Sequence, residues 1–141
     1  MSFLTRRRVE FRDTDAAGIV HFSAFFPWME AAEHEMLRSV GIEILPSGEA
    51  ADVVTWPRVS ACCDYFSAAR FEDWLEIDVA VGRIGTSSVE YRIRFSRLGG
   101  DGKPESIAEG KTVVVCCRLQ PGGGLQKVSI PPAIRAKLES L

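Results

Sequence analysis

The stretch Arg12–Phe22, RDTDAAGIVHF, sets two acids, a glycine and a histidine directly ahead of an apolar segment. Residues of these types at this spacing support two readings. Asp15 can close an Asx turn or cap the coming helix, as acids in that place commonly do. Alternatively, its carboxylate can act as a nucleophile or as a base for water. The backbone N–H groups of the adjoining helix start would then face a developing negative charge. They lack intrahelical partners and carry the positive end of the helix dipole. Asp13 reads best as a structural acid that orders the turn and pairs with a nearby arginine.

The rest of the chain narrows the setting. Its 141 residues suit a single domain spanning residues 1–141, with room for a core. An apolar share of 46% against 26% charged residues is the balance of a folded globular protein, not of a disordered chain. A net charge of -2 supplies no global field for nucleic acid or an anionic membrane, so neither is expected as a partner. The run Thr5–Arg8 is the one basic cluster, and in a strand its arginines alternate between faces and read as solvated. No apolar run reaches the roughly 18–20 residues of a membrane span, and MSFLTRRRVEF has no signal-peptide centre, so a cytoplasmic location is expected. The cysteines come as adjacent pairs, Cys62-Cys63 and Cys116-Cys117. Strand neighbours point to opposite faces, which suits small apolar packing better than chelation, and no metal site is expected.

The elements that must position the Asp15 turn follow from periodicity. Phe3–Phe11 reads as a first strand ending at the Asp/Gly turn. From Phe22 to Val40 the apolar residues recur at helical spacing, with Ser23 as the expected cap, Pro27 tolerated in the first turn and Gly41 as the stop. A strand segment around Asp52–Phe66 follows, with Pro57 marking an edge or bulge. Trp74–Val81 and Val89–Phe95 alternate apolar and charged residues and read as strands joined through Arg83–Ser88. After the turn at Gly99–Pro104 comes a last strand, about Ser106–Leu119, whose TVVVCC run predicts cover on both faces. The proline-led PPAIRAKLESL then predicts a short terminal helix. One long helix cannot cover such a sheet on both sides. The economical α+β arrangement is an antiparallel sheet wrapped around one central helix, and its open face and edge invite a second copy.

Val9–Ile42, VEFRDTDAAGIVHFSAFFPWMEAAEHEMLRSVGI, resembles the opening of the hot-dog-fold thioesterases of the 4-hydroxybenzoyl-CoA thioesterase family. The shared core is an acid, a variable residue, an acid, two small residues, glycine, two aliphatics and an aromatic-rich helix start. It runs here from Asp13 to Phe22. Val81–Phe95, VGRIGTSSVEYRIRF, is similar to that family's hairpin into its fourth strand, and the final strand is followed by the family's SIP segment, Ser129–Pro131. The resemblance covers nearly the whole chain. It implies a hot-dog fold, a homodimer or dimer of dimers, and hydrolysis of acyl-CoA thioesters with no metal or organic cofactor.

The residues suffice for that chemistry. Thioester hydrolysis needs a nucleophile or a base for water, and stabilisation of the carbonyl oxyanion. By resemblance, Asp15 is the catalytic carboxylate and the Phe22 backbone N–H the carbonyl-polarising donor. Gly18 would let the backbone approach the thioester. Many relatives carry tyrosine or tryptophan at His21 and tyrosine or histidine at Phe22. A backbone donor survives that change, and His21 either orients substrate or serves as a surface or dimer-contact residue. Glu30 matches an acidic position of the family helix and reads either as a site residue or as an interface carboxylate. His34, four residues on, is placed to pair with it.

The CoA end departs from the family pattern. An Arg/Lys cluster holds the nucleotide phosphates in some relatives, whereas this chain has Gly85-Thr86-Ser87. Arg83, Thr86 and Ser87 are the substitutes expected there, with Lys127 and Arg58 as further candidates. An acyl carrier protein thus stays open as the presenter of the acyl group. Phe22, Phe25, Phe26, Trp28 and Trp56 supply aromatic bulk for the acyl pocket, which suits an aromatic or short-to-medium acyl group. Two rival functions remain: a non-catalytic acyl-thioester-binding protein, and a hydratase or dehydratase recruiting His21 or His34.

Overall fold

A computed structural model describes residues 2–47 and 53–141. The chain opens with strand β1 (Phe3–Arg8), in which Leu4, Arg6 and Arg8 are exposed while Phe3, Thr5 and Arg7 turn towards the core. The strand is shorter than the Phe3–Phe11 expected. Val9 still exchanges backbone hydrogen bonds with Asp73 and Glu72, at 2.8 and 2.9 Å, but Phe11–Asp13 coil into a 3-10 turn. The Asp13 carboxylate drives this by accepting the Glu10 N–H at 2.8 Å. Asp13 therefore orders the turn as expected, through a backbone amide. Among the described residues it has no arginine within ion-pair distance.

The central helix α1 spans Phe25–Ser39, preceded by a 3-10 turn at Phe22–Ala24. Ser23 is not its cap. The His21 ring takes that place, with Nδ1 accepting the Ser23 N–H at 3.2 Å. At the other end Gly41 adopts φ +75, and Ile42 N–H reaches back to Leu37 O at 3.0 Å. That left-handed residue is why glycine ends this helix. Phe25, Trp28, Met29, Ala32, Met36 and Leu37 form the buried stripe.

Six further strands follow: β2 (Val54–Thr55), β3 (Arg58–Tyr65), β4 (Trp74–Ile84), β5 (Ser88–Leu98), β6 (Pro104–Val115) and β7 (Cys117–Leu119). A final strand, β8 (Leu125–Lys127), precedes helix α2 (Pro132–Glu139). Of the strand expected from Asp52, Asp52 lies outside the described residues and the remainder breaks at Trp56-Pro57 into β2 and β3. The main sheet is antiparallel, ordered β1-β4-β5-β6-β3, and β2-β7-β8 make a second small sheet.

Alternation decides which face of the main sheet meets α1. Leu75, Ile77 and Val79 of β4 and Val89, Tyr91, Ile93 and Phe95 of β5 are buried against it, while the charged residues between them face outwards. Gly110 on β6 lets the helix come close, since a Cβ there would lie 2.1 Å from Met29 Sδ. The TVVVCC run is not one strand. At Cys116 the chain leaves the main sheet for the small one, and both Cys116 and Cys117 are buried at the crossing. Burial pushes the Cys116 thiol up to about 11. Cys62, by contrast, is exposed on β3 and does not pack as an apolar residue. α2 is tied back by Ile130 N–H to Thr86 O at 2.9 Å and by Lys137 Nζ to Gly41 O at 2.9 Å.

Both edge strands of the main sheet, β1 and β3, are open, but they differ in chemistry. β1 presents arginines, whereas β3 carries the exposed Val59 and Tyr65 and leads into the exposed Phe66. No helix among the described residues is long and apolar enough to cross a membrane.

Candidate active site

The Asp15 turn is stitched shut by its own backbone. Asp15 N–H donates to Ile19 O at 2.9 Å and Gly18 N–H to Asp15 O at 2.9 Å, while Val20 N–H reaches Ala69 O at 2.8 Å and His21 N–H reaches Asp13 O at 2.8 Å. Gly18 sits at φ +79, where a side chain is strained. A Cβ there would meet nothing within 4 Å, so within the chain it is conformation, not a close approach, that calls for glycine.

The turn reading of Asp15 is met in the structure, and it does not use up the carboxylate. One carboxylate oxygen, Oδ1, accepts the Ala17 N–H at 2.9 Å, which is the Asx turn. The second oxygen takes no hydrogen bond among the described residues. Asp15 also lines a cleft of about 370 Å³ with Ile19, Val20, Phe22, Phe25, Tyr65 and the segment from Phe66 to Ala69. The turn bond holds the carboxylate in place and leaves half of it uncommitted.

A similar count applies at the helix start. Ala24 N–H goes to His21 O at 3.0 Å and Ser23 N–H goes to His21 Nδ1. Phe22 N–H is left without an acceptor among the described residues, and Phe22 belongs to the same cleft as Asp15. His21 thus contributes as a cap that occupies the neighbouring amides. Its ring lies 4.5 Å from that of Phe22, centroid to centroid, and it does not line the cleft.

Tyr65 on β3 closes the far wall and was not legible in the sequence. Its hydroxyl donates to Phe22 O at 2.9 Å and its ring packs edge-on against Phe25 at 5.3 Å. Burial, then the neighbouring Cys63 and Asp64, push the phenol up to about 12, so it stays a donor near neutral pH. An alternating strand pattern does not single it out. Its partner, Phe22, lies 43 residues earlier in the chain.

Other expected site residues lie elsewhere. Glu30 and Trp56 line a separate cavity of about 250 Å³, together with Glu33, His34, Arg58 and Tyr91. There Arg58 is held by the buried Glu33 at 2.8 and 3.3 Å and by Glu30 at 3.5 Å. Burial works against the Arg58 charge, but the hydrogen bond and charge of Glu33 outweigh it and raise the guanidinium above its usual range. Arg58 is therefore committed to carboxylates within the chain. His34 pairs with Glu33 at 3.8 Å and not with Glu30. Arg83 and Thr86 are exposed and Ser87 half-buried at the β4–β5 connection, outside the Asp15 cleft. The Thr86 and Ser87 carbonyls accept Ile130 N–H and Cys116 N–H, so this connection anchors the C-terminal segment. Lys127 is exposed on β8. No group of three or more His, Cys, Asp or Glu is arranged to hold a metal ion among the described residues.

Comparison with known proteins gives the family. The model of the Thioesterase-like superfamily matches residues 9–138. A protein of Aquifex aeolicus (strain VF5), whose name assigns it provisionally to the esterases, is 38% identical over 135 residues, covering 95% of each chain. A 1,4-dihydroxy-2-naphthoyl-CoA hydrolase of Prochlorococcus marinus (strain NATL2A) is 32% identical over 100 residues, 67% of this chain and 64% of its own. Among solved structures, the 4-hydroxybenzoyl-CoA thioesterase of Pseudomonas sp. strain CBS-3 superposes with a TM-score of 0.81 at 23% identity, covering 96% of this chain and 98% of that one. The match along residues 9–138, nearly the whole chain, identifies the family: the chain belongs to the Thioesterase-like superfamily and is a hot-dog-fold thioester hydrolase.

Proposed function

We propose that the protein hydrolyses an aromatic or short-to-medium acyl-CoA to the free acid and CoA at the Asp15 cleft, without metal or organic cofactor. The observation that carries the reading is the coincidence, in one cleft, of an aspartate with one oxygen uncommitted and a residue whose backbone N–H has no acceptor among the described residues. The free oxygen of Asp15 either removes a proton from water as that water bonds to the thioester carbonyl carbon, or bonds to the carbon itself. In both routes the carbonyl oxygen gains negative charge, which the Phe22 N–H stabilises. Collapse of the tetrahedral intermediate expels the CoA thiolate. In the second route, water then cleaves the resulting anhydride. Names of relatives support an aromatic acyl group, since the Prochlorococcus protein is named for a naphthoyl thioester and the Pseudomonas one for a benzoyl thioester.

The working unit in this reading is a homodimer, or a dimer of such dimers. The open, partly apolar edge of β3 is the support for it: a second copy laid alongside would satisfy the free edge and cover Val59, Tyr65 and Phe66. It would also shelter the Asp15 cleft, whose wall is Tyr65. Arg83, Thr86 and Ser87 stand as the candidates for CoA phosphate contact, and an acyl carrier protein remains the other presenter of the acyl group.

Release of free CoA from a panel of aromatic and aliphatic thioesters, by wild type and by Asp15→Asn, tests the proposal. Wild-type turnover by the variant on every substrate cleaved would remove Asp15 from the chemistry. Tight acyl-CoA binding with no hydrolysis would leave a binding protein, and hydration of an enoyl thioester would leave a hydratase.

A further inference from the structure

The peptide units on either side of Phe22 are held differently. The unit before it supplies the Phe22 N–H and is fixed through its carbonyl, since His21 O accepts the Ala24 N–H at 3.0 Å. The unit after it is gripped at both ends. Its carbonyl, Phe22 O, accepts the Tyr65 hydroxyl at 2.9 Å, and its N–H, that of Ser23, goes to His21 Nδ1 at 3.2 Å. Phe22 thus stands between two anchored peptide planes, and one of the anchors is an imidazole. Freeing the second plane loosens Phe22 and the aim of its N–H, and small misplacements at a reacting centre are costly.

That anchor works in one protonation state only. The Ser23 N–H is an obligatory donor, so Nδ1 must offer a lone pair, and the neutral ring then carries its proton on Nε2. The Ser23 hydroxyl lies 2.7 Å from the same nitrogen. A hydroxyl can donate to the lone pair or accept from an N–H, so it stays paired in either state. The amide cannot. Once a proton sits on Nδ1, the ring donates to Ser23 Oγ and meets the Ser23 N–H donor against donor. The added charge also stands on the N-terminal side of α1, where the helix dipole opposes a cation. Protonation releases the second peptide plane and leaves a second free amide beside the Phe22 N–H.

Among the described residues no charged group pairs with the ring; the histidine in an ion pair is His34, with Glu33. The cap touches the first 3-10 turn through His21 N–H to Asp13 O at 2.8 Å, and the end of β3 through Tyr65. These elements carry Arg12, Asp13, Asp64 and Tyr65, with Glu10 and Asp15 flanking the turn. Asp13 is bound to the Glu10 N–H, Glu10 pairs with Arg8, and Asp15 Oδ1 holds the Ala17 N–H. The first turn of α1 carries no acid.

We propose that neutral His21 is a positioning residue for the Phe22 amide, and that a proton on its Nδ1 withdraws that support and lowers turnover. The proposal rests on the thioesterase reading for its reaction, and adds to Asp15 a second group whose ionisation governs the rate. His21 touches neither thioester nor water; it acts through the peptide unit that it shares with Tyr65.

The test measures kcat and KM against pH, on a thioester that wild type cleaves, for wild type, His21→Asn and His21→Ala. Asparagine keeps a capping acceptor that does not titrate, whereas alanine has none. Wild-type kcat is expected to fall with acid between about pH 8 and 5, where imidazoles ordinarily change charge. Both variants lose that limb and keep only the one set by the Asp15 carboxylate. On the alkaline plateau His21→Ala lowers kcat about tenfold with KM little changed, the scale of one hydrogen bond, and His21→Asn restores most of it. An imidazole limb that persists in both variants overturns the proposal and leaves hydrolysis standing. So does an unchanged plateau kcat in His21→Ala, or a loss confined to KM. If no thioester is cleaved, the hydrolase reading fails by itself. Nitrogen-15 spectra of wild type then decide the hold of the ring on the turn: a bare Nδ1 in the neutral ring, with a Ser23 amide signal that follows the ring's titration, upholds it. A proton on Nδ1 of the neutral ring, or a Ser23 amide indifferent to the titration, overturns it.

Discussion

Asp15 and Glu33 are both carboxylates beside α1, and their surroundings could hardly differ more. Glu33 is buried on the helix with both oxygens held by the Arg58 guanidinium, at 2.8 and 3.3 Å. Asp15 sits on a partly open turn with one oxygen held by an amide and the other uncommitted among the described residues. A fully satisfied buried pair resists change, because removing one partner strands a charge away from water. A half-satisfied carboxylate at a cleft is oriented without being used up. The first arrangement suits stability and the second suits chemistry.

Substitutions at the two sites should therefore separate activity from stability. The largest effect is expected of Asp15→Asn, which lowers kcat by about a thousandfold, within the range for loss of an acid–base group, while the melting temperature barely moves. A variant that instead melts early and keeps turnover would reverse the contrast. Next comes Glu33→Ala, which leaves Arg58 only the exposed Glu30 at 3.5 Å and costs about 3 kcal/mol by chemical denaturation. The double variant Glu33→Leu/Arg58→Met should recover most of that loss, since no charge is left stranded. Failure to recover would mean that the pair does more than satisfy itself.

Tyr65→Phe comes third. It removes the bond to Phe22 O and should lower kcat about tenfold with little change in KM, since one neutral hydrogen bond positions the amide turn. A change confined to KM would place Tyr65 in binding. The smallest effect is expected of Gly18→Ala. A left-handed alanine costs about 1 kcal/mol of stability, and turnover should fall only as far as the turn shifts. A loss of activity without loss of stability would instead mean that the glycine makes room for a ligand, as the sequence alone suggests.

Much of this was legible before any coordinates. The helical stripe from Phe25 to Leu37 and the alternation in β4 and β5 are strong periodic signals, and the structure follows both. The Asp15 turn stood out because acids, glycine and a helix start coincide there. Boundaries were less legible. β1 stops early because the Asp13 carboxylate captures an amide and coils the chain, a competition that strand periodicity does not register. The TVVVCC run crosses between sheets, since an apolar run reports burial and not which sheet provides it. His21 displaced Ser23 as the cap because either side chain can accept an amide proton, and only geometry chooses.

Local spacing by itself determined the long helix, the alternating strands and the turn that holds Asp15, because these depend on residues close in the chain. The family resemblance of Val9–Ile42 belongs to the same category. Tertiary structure alone decided that Tyr65 would meet Phe22 across 43 residues, that Arg58 would meet Glu33, and that Thr112 would be buried with no hydrogen-bond partner among the described residues. Those outcomes depend on how β3 and β6 register beside the helix. Gly110 sets the approach by admitting Met29, and no local pattern carries that information.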